Sequence, residues 1–135
     1  MECPFLALFR DDFHARWELR IDRPALARLR EQCGYEVPTI EAFNRAGGRD
    51  RIAAELEALY HDRTKVVAML WAIVVPQAQR RGITRGEFER RLEGCYSSAR
   101  KELFESFANF NFGNRLSTLI TNFHDGIEDY AYGRA

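Results

Sequence analysis

The chain has 135 residues, of which 46% are hydrophobic and 30% are charged, so a single folded domain over residues 1–135 is the simplest organisation. Twenty Lys and Arg residues balance twenty Asp and Glu residues. A net charge of zero argues against a dedicated polyanion binder, which needs an excess of positive charge. The three cysteines, Cys3, Cys33 and Cys95, are odd in number and widely spaced, which favours reduced thiols in the cytoplasm over a disulfide framework or a zinc site.

No segment is typical of a membrane span or a secretory signal. The longest unbroken apolar run, Val66 to Val75, has ten residues, whereas a spanning helix needs about 20. At the N-terminus, "MECPFLALFRDDF" contains only a short apolar run with acidic residues on both sides. We therefore expect no contact with a membrane and a cytoplasmic location.

Residues 5–21 are predicted to form a β-hairpin. Trp17, Leu19 and Ile21 alternate with charged residues, and this period of two is typical of a half-buried strand. The polar stretch "RDDFH" separates this strand from an apolar one before it.

Residues 23–127 are predicted to be helical. The first helix is capped by Asp22, carries Pro24 in its first turn and ends at Gly34. A short helical piece with Ile40 and Phe43 follows and ends at a glycine pair. An amphipathic helix comes next, and its apolar positions are Ile52, Leu56, Leu59 and Tyr60.

The segment "TKVVAMLWAIVV" is apolar on every side, which is typical of a central helix or of one that lends a second face to a partner. Pro76 follows it directly. Since proline has no N–H and clashes with the preceding turn, the helix is predicted to kink there or to restart with Pro76 in its first turn. Gly82 then supplies a left-handed stop.

The next helix begins at a well-specified corner. Thr84 and Glu87 have the spacing of a capping box, and Ile83 and Phe88 stand at the positions of a hydrophobic staple. This helix is predicted to run to about Glu93.

The C-terminal part is predicted to hold two further helices and a frayed tail over residues 128–135. The first has apolar positions at Ala99, Leu103, Phe104, Phe107 and Phe110, and the second at Leu116, Leu119, Ile120, Phe123 and Ile127. The predicted fold is therefore mainly α, a small domain of about six helices with an N-terminal β-hairpin.

The sequence offers no constellation that indicates catalysis, so we expect no enzyme, no cofactor and no metal. The three histidines, His14, His61 and His124, lack ligand spacing, and no phosphate-binding or nucleophile motif is present. Cys95 has no neighbouring base and is interpreted as a buried thiol. Five arginines cluster around one corner and favour a solvated helix end over a phosphate-binding patch, so nucleic acid is not an expected partner: Arg80, Arg81, Arg85, Arg90 and Arg91.

Two apolar stripes are candidate partner-binding surfaces. Phe104, Phe107 and Phe110 recur at helical spacing and fit either a core or a groove for a partner helix. A second face of the central helix, made by Val67, Trp71 and Val75, lies roughly opposite its first apolar stripe. It could meet a partner helix or another copy of the chain.

The stretch from Asp62 to Gly94 resembles small proteins encoded in the tail modules of siphovirus-type phages and prophages, the tail assembly chaperone-like group. The resemblance begins with an apolar helix that carries an aromatic residue, at Leu70 and Trp71, and continues with a Pro-Gln-Ala step at residues 76–78. A glycine at Gly82 and a Thr cap at Thr84 follow, and then Phe88 with Leu-x-Gly at Leu92 and Gly94. With the upstream "RWELRIDRPALARLRE", it covers roughly residues 15 to 94. This chain differs from the group in Arg85 and Arg90, where acidic residues are common, and in its extension over residues 112–135.

The resemblance implies a non-enzymatic helper in the cytoplasm of the host cell. Such chaperones are thought to coat the tape-measure protein and to recruit tail-tube subunits. Neutral charge also leaves self-association into a homo-oligomer open. Two alternatives remain: a virion structural adaptor of the head–tail junction, neck or tail, and a small DNA-binding regulator that uses the arginine corner.

Overall fold

The structure, a computed structural model, describes residues 7–38 and 40–111, and it confirms a mainly helical fold behind an N-terminal β-hairpin. The predicted helix at 116–127 and the tail at 128–135 lie outside the described residues. In chain order the elements are β1 (Ala7–Arg10), β2 (Arg16–Leu19), α1 (Arg23–Cys33), α2 (Ile40–Asn44), α3 (Gly48–Tyr60), α4 (Arg63–Arg81), α5 (Arg85–Arg91) and α6 (Tyr96–Asn111).

The hairpin is antiparallel, with Phe9 opposite Trp17. The predicted alternation is confirmed, because Trp17 and Leu19 are buried while Arg16 is exposed. The strands are shorter than the predicted 5–21 range, and a turn over residues 11–15 joins them.

α4 is the centre of the fold. It packs against α1, α3, α5, α6 and β2, which is why this helix is apolar around most of its circumference. Seven of its residues are buried: Val66, Met69, Leu70, Ala72, Ile73, Val74 and Ala78.

α4 continues through Pro76, so the predicted alternative of a restart at this residue is wrong. Pro76 cannot donate a hydrogen bond to the carbonyl of Ala72, four residues earlier. Arg28 of α1 takes that place: its Nε donates to the Ala72 carbonyl at 2.5 Å, and its Nη2 donates to the Ile73 carbonyl at 3.3 Å. A side chain from another helix thus supplies the missing donor, and the helix does not have to end.

The predicted stop at Gly82 and the predicted N-cap at Thr84 are confirmed, while α5 ends at Arg91, before the predicted Glu93. Gly82 is left-handed with φ of 69°, and the Ile83 N–H donates to the Ala78 carbonyl at 2.9 Å, which closes α4 in a Schellman motif. The Thr84 side chain then caps α5 by accepting from the Glu87 N–H at 3.2 Å. The Glu87 carboxylate binds Arg91 of the same helix at 2.7 Å.

If Arg28 replaces the donor that Pro76 lacks, substitutions of these two residues should be energetically coupled. Arg28→Met keeps the apolar stem but leaves the Ala72 carbonyl without its donor, so it should lower the free energy of unfolding by about 2 kcal/mol. In a Pro76→Ala background the restored N–H can bond that carbonyl, so the same substitution should cost at least about 1 kcal/mol less. Urea denaturation of the four variants measures this coupling.

The control is Arg23→Met, because Arg23 is an exposed arginine of the same helix. It should change stability little in either background. An equal cost of Arg28→Met with and without Pro76 would contradict the assignment of Arg28 as the substitute donor.

Candidate partner-binding surface

One side of α4 remains partly accessible, and it is apolar. Ala68, Trp71 and Val75, which we call the α4 stripe, follow each other at spacings of three and four residues and are each partly exposed. Exposed Thr64 and Gln79 continue the same side of the helix at both ends. The stripe is therefore an apolar strip about two turns long with polar ends.

Trp71 is held in place without being covered. Its ring lies 5.5 Å from that of Phe88, centre to centre, at an angle of 47°. Phe88 itself is fully buried and also contacts Trp17 at 5.0 Å. The core side of Trp71 is thus packed, while part of the indole remains open to a partner.

The structure brings the three predicted residues Val67, Trp71 and Val75 to this partly exposed region. Val67 packs against the core at its edge. Ala68 is not among the predicted residues, although its position between Thr64 and Trp71 on one side of the helix is a sequence signal for it.

The predicted phenylalanine stripe, unlike the α4 stripe, is buried at Phe104 and Phe107. Phe104 and Phe107 are fully buried, so of the two interpretations given above the structure supports the core and not a partner groove. Their rings pack at 5.9 Å from each other, Phe104 lies 5.1 Å from Tyr60, and Phe107 lies 5.5 Å from Tyr35. Phe110 belongs to α6, but its side chain lies outside the described residues.

A groove of about 530 Å³ opens between the C-terminal end of α1, α3 and the first half of α4. We call it the α1–α3–α4 groove; its lining includes Cys33, Tyr35, Ala58, Leu59, Ala68 and Met69. Ala68 belongs to both surfaces, so the groove and the α4 stripe are continuous. No sequence signal pointed to this groove, because three separate elements form it.

The Tyr35 hydroxyl beside this groove is buried and has no hydrogen-bond partner among the residues that the structure describes. Burial and the negative charge of Glu55 raise the pKa of Tyr35. Its phenol is therefore a neutral donor at physiological pH.

The arginine corner is largely engaged within the chain. Arg81 donates to the Arg16 carbonyl at 2.6 Å and lies over the Trp17 ring, 4.5 Å from its centre. Arg85 binds Glu89 at 3.0 Å. With Arg91 also paired, three of the five arginines contact other residues of the chain, although Arg81 and Arg85 are exposed, as Arg80 and Arg90 are.

Arg91 also binds a buried carboxylate, that of Asp11 in the hairpin turn. Asp11 accepts from the Trp17 Nε1 at 2.8 Å, from the Phe13 and Ala15 N–H groups at 2.8 and 3.0 Å, and from Arg91 at 3.2 Å. Burial raises the pKa of Asp11, but these donors outweigh it and hold the pKa below its ordinary value. Asp11 therefore ties the turn to Trp17 and to α5.

The predicted thiols and histidines do not form a reactive cluster in the described part of the chain. Burial and the nearby Asp12 and Asp11 charges raise the pKa of Cys95 to about 11, which keeps this thiol protonated. His14 lies in the hairpin turn and His61 at the end of α3, whereas His124 is outside the described residues. Over residues 7–38 and 40–111, no group of three or more His, Cys, Asp or Glu side chains could hold a metal ion.

Comparison of the chain with models of known protein families, with curated proteins and with solved structures finds no match. The resemblance to the tail assembly chaperone-like group thus remains an expectation drawn from the residues. A search of the described helices for one long and apolar enough to cross a membrane found none.

The buried carboxylate predicts how stability depends on pH. Asp11→Asn should lower the free energy of unfolding by about 2 kcal/mol near neutral pH, because charge-assisted hydrogen bonds are lost. The folded-state pKa of Asp11 lies below the ordinary 3.8, so the advantage of the carboxylate is present above this value and disappears as the pH falls through the folded-state pKa. Urea unfolding of both proteins across this acidic range measures the difference.

Glu31→Gln, which changes an exposed carboxylate of α1, is the matched control and should leave stability nearly unchanged. A stability difference between Asp11→Asn and the parent protein that persists undiminished in strong acid would contradict the role of the charge.

Proposed function

We propose that this protein is a non-enzymatic binding protein that shields an apolar helical segment of a phage or prophage tail protein during assembly, as tail assembly chaperones do. The observation that carries the proposal is the α4 stripe: the central helix of the fold keeps an apolar side only partly covered, with Trp71 in its middle. Its partners would be the tape-measure or tail-tube proteins in the host cytoplasm.

The geometry suits a helix that lies in a groove. Such complexes bury apolar anchors at helical spacing in a hydrophobic groove. The α1–α3–α4 groove provides one wall through Leu59 and Met69, and its continuity with the α4 stripe through Ala68 provides a longer track. Small side chains such as Ala58 and Ala68 would let a partner helix approach closely.

The residues that carry the resemblance support this proposal indirectly. Pro76 and Gln77 fix α4 to α1 and β2, while Gly82 and Thr84 place Phe88 behind Trp71. The pattern therefore specifies the scaffold that presents the stripe. A chain with this pattern therefore presents the α4 stripe in the same position.

Substitutions on the stripe test the proposal. Trp71→Ala should weaken binding to the tape-measure or tube protein encoded beside this chain by about thirtyfold, because central aromatic anchors often contribute about 2 kcal/mol or more. Ala68→Glu should do the same by placing a charge in the apolar track. Co-expression followed by titration calorimetry measures both effects.

Phe13→Ala is the matched aromatic control, since Phe13 is 69% exposed and lies in the hairpin turn, where its ring contacts Arg91 and not the α4 stripe. It should bind normally. The proposal fails if Ala68→Glu, folded by circular dichroism, binds like the parent, or if Trp71→Ala loses folding and not association. Association of the chain only with itself, or its retention in purified particles by mass spectrometry, would favour an oligomer or a virion adaptor instead.

The proposal also predicts weak binding to nucleic acid. Since Arg81, Arg85 and Arg91 are engaged within the chain, any duplex DNA binding should rest on exposed charge and be lost at physiological salt. Fluorescence anisotropy with a labelled duplex measures it. Submicromolar binding that Arg80→Glu or Arg90→Glu abolishes would instead support the DNA-binding regulator.

A further inference from the structure

Two arginines converge on one tyrosine where α4 and α6 begin. Arg63 is the first residue of α4, and its guanidinium carbon lies 4.2 Å from the centre of the Tyr96 ring. Arg100, one turn into α6, lies 5.4 Å from the same ring and 3.9 Å from the Tyr60 ring. Its Nη1 also donates to the Tyr60 carbonyl at 3.3 Å. The backbone of α3 thus holds Arg100 in place beside Tyr96.

This cluster contains positive charge without an acidic partner. Arg85 and Arg91 form close ion pairs, but in the described part of the chain no carboxylate lies within 4.0 Å of Arg63 or Arg100. Two guanidinium groups brought together around one ring repel each other. An arrangement of this kind is stabilised when an anion joins it.

The cluster also holds two buried donors that find no acceptor among the described residues. Tyr96 is only 9% exposed, and within residues 7–38 and 40–111 neither its hydroxyl nor the Nε of Arg100 has a hydrogen-bond partner. Burial raises the pKa of Tyr96, while the charges of Arg100 and Arg63 and the closeness of the Arg100 guanidinium to the hydroxyl lower it, and the net result is a rise. The phenol therefore stays protonated and can donate. Since buried polar groups without a partner cost free energy, an acceptor at this place would satisfy both.

We propose that Arg63, Tyr96 and Arg100 form a binding site for an oxyanion, a phosphate or a carboxylate group. Guanidinium forks match the oxygen geometry of both groups. The positive ends of the α4 and α6 dipoles, at Arg63 and Tyr96, add to the attraction. The site is open to solvent through Arg63, which is exposed. It uses no residue of the α4 stripe and is independent of the proposed function.

The experiment is a titration followed by NMR on protein labelled with ¹⁵N, which reports backbone amides and arginine Nε–H groups. Inorganic phosphate and sodium acetate are added in separate arms at neutral pH and constant ionic strength. We expect saturable shifts of the Arg100 Nε–H and of the amides around Arg63 and Tyr96. The arm that saturates at the lower concentration identifies the oxyanion.

Variants separate a site from general screening. Arg63→Gln should raise the dissociation constant of the anion about tenfold. Tyr96→Phe, which keeps the ring and removes only the hydroxyl, should raise it several-fold. Arg80→Gln, an exposed arginine near the other end of α4, is the matched control and should leave it unchanged. The proposal is overturned if neither salt saturates, if all arginines shift alike, or if Arg63→Gln and Tyr96→Phe bind like the parent.

Discussion

The fold depends on how the Ala72 carbonyl, which Pro76 leaves without its usual donor, is satisfied in the middle of α4. A backbone carbonyl inside a folded domain needs a donor, and the Arg28 guanidinium supplies one to Ala72 in place of the missing N–H. This requirement fixes where α1 lies along α4. The next residue, Gln77, exchanges two hydrogen bonds with the Glu18 backbone, at 2.9 and 2.7 Å. These bonds pair the outer edge of β2, so one turn of α4 positions both the first helix and the hairpin.

A second set of contacts fastens the other end of the hairpin. The Asp12 N–H donates to the Arg91 carbonyl at 2.9 Å, and the Asp12 carboxylate accepts from the Gly94 N–H at 2.8 Å. A Cβ at Gly94 would stand only 2.8 Å from an Asp12 oxygen, so a larger residue there would have to displace the Asp12 carboxylate. With the hairpin held at both ends, β2 and α5 cover two sides of α4 and α1 and α3 cover others. The α4 stripe is the side that this arrangement leaves partly open.

Features that depend on neighbouring residues could be predicted from the sequence, whereas those that depend on distant ones could not. The cap at Thr84 and the stop at Gly82 involve partners within five residues, and both are present. The predicted alternative of a restart at Pro76 is wrong because the substitute donor, Arg28, lies 44 residues before Ala72 in the chain. Periodicity identified Phe104 and Phe107 as apolar positions of one helix, but only the packing of Tyr60 and Tyr35 against them decides that they belong to the core. For the same reason the face of α4 that stays accessible, and the groove beside it, could not be separated from the core by spacing alone.

The arginines show why a balanced composition says little about sites. A net charge of zero averages over residues with different roles: Arg28 replaces a backbone donor, Arg81 pairs with a strand edge and Arg91 neutralises a buried carboxylate. Each of these charges is compensated where it lies, by carbonyl dipoles or by acid. A total charge of zero does not require every charge to have a partner of opposite sign nearby, and within the described residues no carboxylate lies within 4.0 Å of Arg63 or Arg100. Two positive charges can therefore lie together at the α4–α6 junction of a neutral protein. Beside them the Tyr96 hydroxyl is a hydrogen-bond donor that has no acceptor among the described residues, so charge and donor can act on the same anion.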